Sequence, residues 1–491
     1  MLRPLHVILG DRIDPSKDVP IYMQVISAII RDIERGRLSP GTYLPGSRQL
    51  ATELGINRKT VVLAYEELIA QGWLSSEGTK GTMVASTVPD PMHRTLAGSS
   101  RARPASQPQY RVLPTPDPPL AVPTGNHGSL KLNEGAPDGR LFPPEVLMAA
   151  YRKAIQRVSS ANRMLYRDPL GSHDLRQTIA DMLRSQRGLS VSPDEICVTR
   201  GSQNALFLTA QILLKPGDTV IVEALTHEPA IAAFRALGAK VVAVPLDRNG
   251  IDVEAVERAC RKHRVRAIFL TPHHQFPTTV TLRPERRLRL LDLARQFGFA
   301  IIEDDYDHEF HFASQPLLPM AAYAPEHVIY LGSLSKLLLP ALRVGYVVAP
   351  REVMAAYAHA ISLTDGMGNR LTEEATADII ASGELRRHAR KVRKIYADRR
   401  TQFAGELRNN FGEDVDFAMP DGGLAFWLRF PGFDLDLVEA RAKEAGLQFA
   451  SSRSYMADDQ APRGLRIGFA SLNRKEAAHA ISIFRQAAYG L

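Results

Sequence analysis

Cysteine is nearly missing from this 491-residue sequence: only Cys197 and Cys260 occur, with no CxxC spacing. Neither a disulfide framework nor a cysteine zinc site is expected, and a reducing cytoplasm is the expected compartment. Long apolar runs are missing too. None reaches the roughly 18–20 residues that a membrane span needs. The first thirty residues mix charges with prolines and lack the pattern of a secretory signal, so secretion is not expected. A strong charge of one sign is also lacking. The balance of 61 Lys+Arg against 53 Asp+Glu gives +8, a weak preference for a polyanionic partner. Residues 1–86 hold ten Lys/Arg and nine Asp/Glu, so the excess does not single out the N-terminus, and position must decide.

The chain does have length and an ordinary mixture. It exceeds what one hydrophobic core usually serves, so at least two domains are expected, and 45% hydrophobic with 23% charged residues is typical of a globular protein. Three zones emerge. Residues 1–86 contain three short helical patterns and a hairpin. Residues 87–128 are rich in Pro, Ser, Arg and Gln without apolar periodicity, which predicts an extended linker. In residues 129–491 the strand-like runs ICVT, TVIVEA, KVVAVPL, RAIFLTP, FAIIED, HVIYLG and VGYVVA alternate with helical stretches. That alternation predicts an α/β domain on a largely parallel sheet.

In the first zone Tyr22, Val25, Ile26, Ile29, Ile30 and Ile33 recur at helical spacing up to Gly36. A second helix opens at Ser47, read as its N-cap, and stops at Gly55. The third opens at Asn57, with Val61, Tyr65 and Leu68 on its inner face. The tight Gly55-Ile56-Asn57 link is the length a helix-turn-helix requires. That geometry aims Asn57, Arg58, Lys59 and Thr60 at base edges and sets Arg48 against the phosphate backbone. Trp73–Glu77 and Thr82–Ala85 flank the turn Gly78-Thr79-Lys80-Gly81, whose Thr79 and Lys80 form a basic wing tip. The run GRLSPGTYLPGSRQLATELGINRKTVVLAYEELIAQGWLSSEGTKGTMV resembles the winged helix-turn-helix reader of the GntR superfamily, with Gly46 where that pattern usually has Ser.

In the third zone the chemistry gathers at predicted strand ends, where open α/β sheets bind ligands. Lys336 follows HVIYLG in GSLSK, behind Ser333 and Ser335 and ahead of Arg343, a set suited to gripping a phosphate. Its amine is able to form a Schiff base with an aldehyde cofactor. Asp304 closes a strand where a protonated pyridine nitrogen needs a carboxylate, and Tyr306 lies two residues on. Gly201-Ser202-Gln203-Asn204 joins a strand to a helix and offers N–H groups to a phosphate. Together these motifs resemble the fold-type I, aspartate-aminotransferase-like, pyridoxal-phosphate-dependent family. With the reader in front, the chain resembles the MocR/GabR regulators from about residue 20 to 485.

The resemblance implies that Lys336 carries pyridoxal phosphate covalently and that Asp304 pairs with its ring nitrogen. Tyr306 would meet its phenolic oxygen, while Ser202, Gln203, Ser333, Ser335 and Arg343 hold its phosphate. Tyr166 in LYRDPLG resembles a tyrosine that reaches a neighbouring subunit's cofactor, implying a homodimer. Arg466 in GLRIGF resembles the arginine that grips a ligand carboxylate. His227 stands at the usual ring-stacking Tyr or Phe, Leu225 replaces a Pro, and His273 and Thr279 replace Ser and Gly, while His274 and Gln275 keep the pattern.

A second pattern of Asp304, Asp305, Asp307, His308, Glu309 and His311 reads as metal ligands in isolation; with Lys336 in place no metal is expected. The run 386–394 reads as a solvated helix face. The expectation is therefore a cytoplasmic transcription regulator that binds operator DNA with paired half-sites. Its aminotransferase-like domain would sense an amino compound or pyridoxal phosphate itself, with residual transamination or an active aminotransferase as the alternative.

Overall fold

A computed structural model describes residues 13–78, 81–89, 130–160, 165–312 and 317–490. The chain divides into two compact units, Met1–Pro114 and Thr115–Leu491. Most of the expected linker, from residue 90, and the wing-tip residues Thr79 and Lys80 lie outside the described residues.

The first unit begins with α1 (Ile21–Glu34), which buries Val25, Ile26, Ile29 and Ile33. In α2 (Ser47–Leu54) the structure corrects one reading: Gly46 is the cap residue and Ser47 lies inside the first turn. With glycine at the cap, no side chain accepts an N–H there. Gly55, at φ 65°, ends this helix in the left-handed region, which glycine adopts without strain. Next, α3 (Arg58–Ala70) is capped by Asn57, whose Oδ1 accepts the Lys59 N–H at 2.8 Å. Val61, Ala64, Tyr65 and Leu68 form its buried face. A hairpin follows, β1 (Leu74–Ser76) against β2 (Thr82–Val84), antiparallel with Leu74 opposite Val84.

In the second unit all seven predicted strands enter one sheet. They are β3 (Ile196–Thr199), β4 (Thr219–Glu223), β5 (Lys240–Val244), β6 (Val265–Leu270), β7 (Ala300–Asp305), β8 (Val328–Ser333) and β9 (Gly345–Val348). Their order across the sheet is β3-β9-β8-β7-β6-β4-β5. The pairings from β8 through β5 are parallel, whereas β9 runs antiparallel to both β8 and β3. The Leu334–Val344 connection carries only a short 3-10 turn. A parallel return needs a longer crossover, usually a helix, so this strand reverses.

Helices cover both faces, which is why the strands read as continuous apolar runs. Side chains alternate accordingly. Ile221, Ile268, Ile301 and Tyr330 enter one core, and Val220, Ala267, Ile302 and Leu331 the other. A small antiparallel pair, β10 (Ala425–Leu428) with β11 (Leu465–Gly468), sets Arg466 opposite Trp427. The basic run 386–394 lies on the helix Glu384–Phe411, with Arg386, Arg387, Arg390, Arg393 and Lys394 exposed and Val392 buried. Among the described residues no helix is long and apolar enough to cross a membrane.

Candidate cofactor site and DNA-reading surface

On the first unit Asn57, Arg58 and Lys59 are exposed at the N-terminal turn of α3, and Thr60 is half-buried beneath them. Arg48 is exposed on the first turn of α2. The Arg58 Nε–H donates to Ser47 Oγ at 3.4 Å, a long bond that leans this guanidinium toward α2. Tyr43 on the hairpin side is exposed, and its hydroxyl donates to Glu77 at 2.9 Å.

The second unit assembles its site at the C-terminal ends of β3, β4, β6, β7 and β8. Lys336 is half-buried, and its Nζ lies 4.3 Å from the centre of the Tyr306 ring. Burial pulls its pKa down to about 8; Asp307 and Asp304 oppose this, and Arg466 adds to the lowering. Asp304 is 8% exposed, and its Oδ1 has no hydrogen-bond partner among the described residues. Burial pushes its pKa up to about 7, assisted by the negative charges of Asp305 and Asp307. The Tyr306 hydroxyl donates to the His274 carbonyl at 2.8 Å and accepts from Arg466 Nη2 at 3.2 Å.

His227 caps the helix Glu228–Ala236 and meets Phe276 edge-on at 5.1 Å. Burial lowers its pKa to about 4, with Lys336 and Arg466 adding to the shift, so this ring is neutral beside the lysine.

The residues expected on the phosphate side include one helix terminus. The helix α4 (Ser202–Leu213) starts after Gly201, whose φ is 86°. A Cβ at Gly201 would lie 2.9 Å from Arg343 Nη2, so glycine alone lets the guanidinium approach the terminus. Arg343 itself sits at φ 54° and donates to the Arg200 carbonyl at 3.0 Å. A left-handed backbone at a non-glycine residue is a strain that tends to mark functional sites. Ser333 is buried and accepts the Ser335 N–H at 3.2 Å, and Ser335 Oγ is buried without a hydrogen-bond partner among the described residues. The first-turn N–H groups of Ser202 and Gln203 have no acceptor within the helix. The Gln203 side chain donates to the Pro229 carbonyl at 3.1 Å.

Arg466 is 0% exposed. Its Nε donates to the Glu134 carbonyl at 2.9 Å and its Nη1 to the Pro277 carbonyl at 2.8 Å. Its third acceptor, Tyr306, is also neutral. No carboxylate forms a salt bridge with it among the described residues. Tyr166 is 87% exposed on its own chain, and Arg343 on the expected phosphate side is exposed as well.

Two acidic residues of the site, Glu134 and Glu223, escaped the sequence reading. The Glu134 carboxyl is buried close to Arg466 and Lys336. The motif Asn133-Glu134-Gly135 is its only sequence signal. Glu223 ends β4 and accepts from Gln275 Nε2 at 3.1 Å, and burial raises its pKa to about 8. That same Nε2 also donates to the Leu225 carbonyl at 2.7 Å, so Gln275 ties two loops together. His274 Nδ1 is 2.7 Å from Asp307 Oδ1, and a Cβ on Gly422 would lie 2.0 Å from His274 Nε2. Glycine is what admits this ring. Thr279, where the family usually has Gly, adopts φ 63°, a conformation costly for a β-branched residue.

A buried carboxylate, a lysine of lowered pKa and a helix terminus at strand ends of one sheet define a fold-type I aminotransferase-like domain. The three-helix unit with its hairpin defines a winged helix-turn-helix. Comparison with known proteins agrees. Residues 128–484 match the family of class I and II aminotransferases, and residues 21–84 match the gntR family of bacterial regulatory proteins.

The chain is 30% identical over 486 residues to the probable rhizopine catabolism regulatory protein MocR of Rhizobium meliloti, covering 97% of this chain and 95% of that one. It is 30% identical over 474 residues to the pyridoxine biosynthesis transcriptional regulator PdxR of Corynebacterium glutamicum, covering 96% of each. Among solved structures, LysN, an α-aminoadipate aminotransferase of Thermus thermophilus complexed with N-(5'-phosphopyridoxyl)-L-leucine, superposes with a TM-score of 0.68 at 28% identity, covering 74% of this chain and 93% of that one. The chain belongs to the MocR family of helix-turn-helix transcriptional regulators, with a GntR-type reader joined to an aminotransferase-like domain.

Proposed function

We propose that this regulator holds pyridoxal phosphate on Lys336 and changes its grip on operator DNA when a carboxylate-bearing amino compound, or the cofactor itself, occupies the site. The division we infer is a reader at 1–86, a linker at 87–128 and an effector domain at 129–491. The observation that carries the reading is the buried Asp304 Oδ1, which has no hydrogen-bond partner among the described residues while the carboxyl interacts electrostatically with Lys336. A carboxyl whose pKa is pushed up to about 7 gains most from a cationic N–H, which a protonated pyridine ring provides. The unpartnered Ser335 Oγ, the Ser333 hydroxyl, the α4 terminus and Arg343 form a matching cradle for a phosphate. The residues present therefore fit the group.

Pyridoxal phosphate, when bound, supplies an aldehyde that captures amines and a ring that withdraws electrons. The chain's own part begins with Lys336. A pKa near 8 leaves about one amine in ten neutral at pH 7, against about three in ten thousand for an ordinary lysine. Tyr306 holds its proton, since burial keeps its pKa well above the usual value, and so donates to the His274 carbonyl while orienting Arg466. Neutral His227 adds no charge beside the amine.

Arg466 presents a buried cation whose hydrogen bonds among the described residues all go to neutral acceptors. An anionic carboxylate is its strongest available partner, and this supports a carboxylated ligand. Tyr166, exposed on its own chain, supports a homodimer in which it reaches the partner's site, and paired readers match paired half-sites. Asn57, Arg58, Lys59 and Thr60 would read bases, and Arg48 with the wing residues Thr79 and Lys80 would hold the backbone.

The test is a titration of cofactor-free protein with pyridoxal phosphate and then with amino acids, read as operator affinity. The wild type should respond to an amino acid, and Arg466→Ala should lose that response while retaining cofactor and basal DNA binding. If pyridoxal phosphate alone gives the full change and Arg466→Ala responds normally, the carboxylate-ligand reading is wrong. Turnover of an amino donor with a keto acid, without DNA, would favour a working aminotransferase instead.

A further inference from the structure

Strand β7 ends on Asp304 and Asp305, and the pleat turns these two neighbouring carboxylates to opposite faces. Asp304 belongs to the Lys336 site. Asp305 enters a different, buried group with His273, from the loop after β6, and His308, just beyond β7. Their polar atoms converge. His273 Nδ1 is 3.5 Å from Asp305 Oδ1, and His308 Nδ1 is 2.9 Å from Asp305 Oδ2. One ligand atom from each of the three lies within 4.8 Å of the others. The rings of His273 and His308 are 5.0 Å apart, and that of His311 is 5.2 Å from His308.

The hydrogen bonds leave a specific deficit. Asp305 Oδ2 accepts the Tyr330 hydroxyl at 2.5 Å besides His308, and Arg187, paired with Glu309, stands 3.7 Å away. Among the described residues Asp305 Oδ1 has no hydrogen-bond partner. His273 Nε2 lies 2.5 Å from the Leu317 carbonyl, an acceptor, so its proton sits there and Nδ1 keeps its lone pair. Nδ1 likewise has no hydrogen-bond partner among the described residues. Two buried lone pairs thus face each other at 3.5 Å. Two ligand atoms about 2.1 Å from a tetrahedral ion lie about 3.4 Å apart. A histidine whose other N–H is held by a backbone carbonyl has the orientation typical of a metal ligand. His311 Nε2, also buried and without a hydrogen-bond partner among the described residues, lies beside the group. His308, Glu309 and His311 line a cavity of about 1350 Å³, which gives an ion a route in.

We propose that His273, Asp305 and His308 bind a divalent transition-metal ion, zinc(II) by the imidazole and carboxylate chemistry of the ligands, with His311 or a water completing the shell. The sequence pattern had grouped Asp304 and Asp307 with these ligands. The fold separates them, because Asp307 pairs with His274 and Asp304 faces Lys336. His273, outside that pattern, takes their place. The ion would clamp the loop after β6, which carries His274 and Gln275, to the end of β7.

The test uses untagged full-length protein, cleared of metal with a chelator and dialysed against zinc(II), with and without the pyridoxal cofactor. Elemental analysis should give about one ion per chain in both forms. Zinc-edge X-ray absorption should show a nitrogen/oxygen shell at about 2.0–2.1 Å with histidine scattering. His273→Ala should weaken zinc at least about tenfold. Less than about a tenth of an ion per chain in the wild type, an ion lost with the cofactor, or equal affinity in His273→Ala would each overturn the proposal. Should the variant fail to fold, the wild-type stoichiometry and edge spectrum decide, and a shell without histidine overturns it.

Discussion

Replacing Asp304 with Asn should have opposite effects on the cofactor-free and cofactor-loaded protein. The carboxyl is 8% exposed and its Oδ1 has no hydrogen-bond partner among the described residues, so its charge is costly until a cation pairs with it. In the folded chain it titrates near pH 7 rather than at the ordinary 3.8. Between these values the unfolded chain releases the proton and the folded chain keeps it, so stability falls as pH rises through the window and levels above 7. At about 1.36 kcal/mol per pH unit the gap amounts to about 4 kcal/mol, an upper bound because the site relaxes around the charge. Asn carries no charge and removes that penalty.

Cofactor-free Asp304→Asn should therefore melt a few degrees above the wild type at pH 8, with the difference shrinking toward pH 5. With pyridoxal phosphate the order should invert, because Asn cannot hold the ring nitrogen in its protonated form. Thermal unfolding of both proteins across pH 5–8, each with and without cofactor, reads this directly. Taking the difference between the two proteins cancels titrations elsewhere in the chain. A variant no more stable than the wild type at pH 8 without cofactor, or a difference that does not change with pH, would refute the reasoning.

Lys336→Ala should abolish the borohydride-reducible visible absorbance of the bound cofactor; a variant that keeps it would remove Lys336 from its role. Arg58→Ala, at the exposed turn of α3, should weaken specific DNA by about 1–3 kcal/mol and random DNA far less, measured by binding at two salt concentrations. Equal losses on both would make Arg58 a backbone contact. Gly201→Ala forces a side chain into φ 86° and toward the Arg343 guanidinium. It should cost about 1–3 kcal/mol in cofactor binding, and unchanged affinity would show that Arg343 does not depend on that approach.

The sequence by itself determined what depends on neighbours along the chain. Seven apolar runs became the seven strands of one sheet, because a strand covered on both faces must be apolar throughout. The Gly55-Ile56-Asn57 link and the opening of the third helix at Asn57 were legible for the same reason: a turn and a helix start are set within a few residues. The strand-end placement of Asp304, Lys336 and the α4 terminus followed from those strands.

Only the tertiary structure decided which distant groups meet. The reversal of β9 depends on the path of Leu334–Val344 across the sheet edge, which no periodicity encodes. The acceptors around Arg466, the carbonyls of Glu134 and Pro277, come from segments far away along the chain. A run of Asp and His from 304 to 311 reads as one cluster. The pleat and the fold split it, turning Asp304 toward Lys336 and Asp305 toward His273, because the face a side chain occupies is local but its partner there is set by long-range packing.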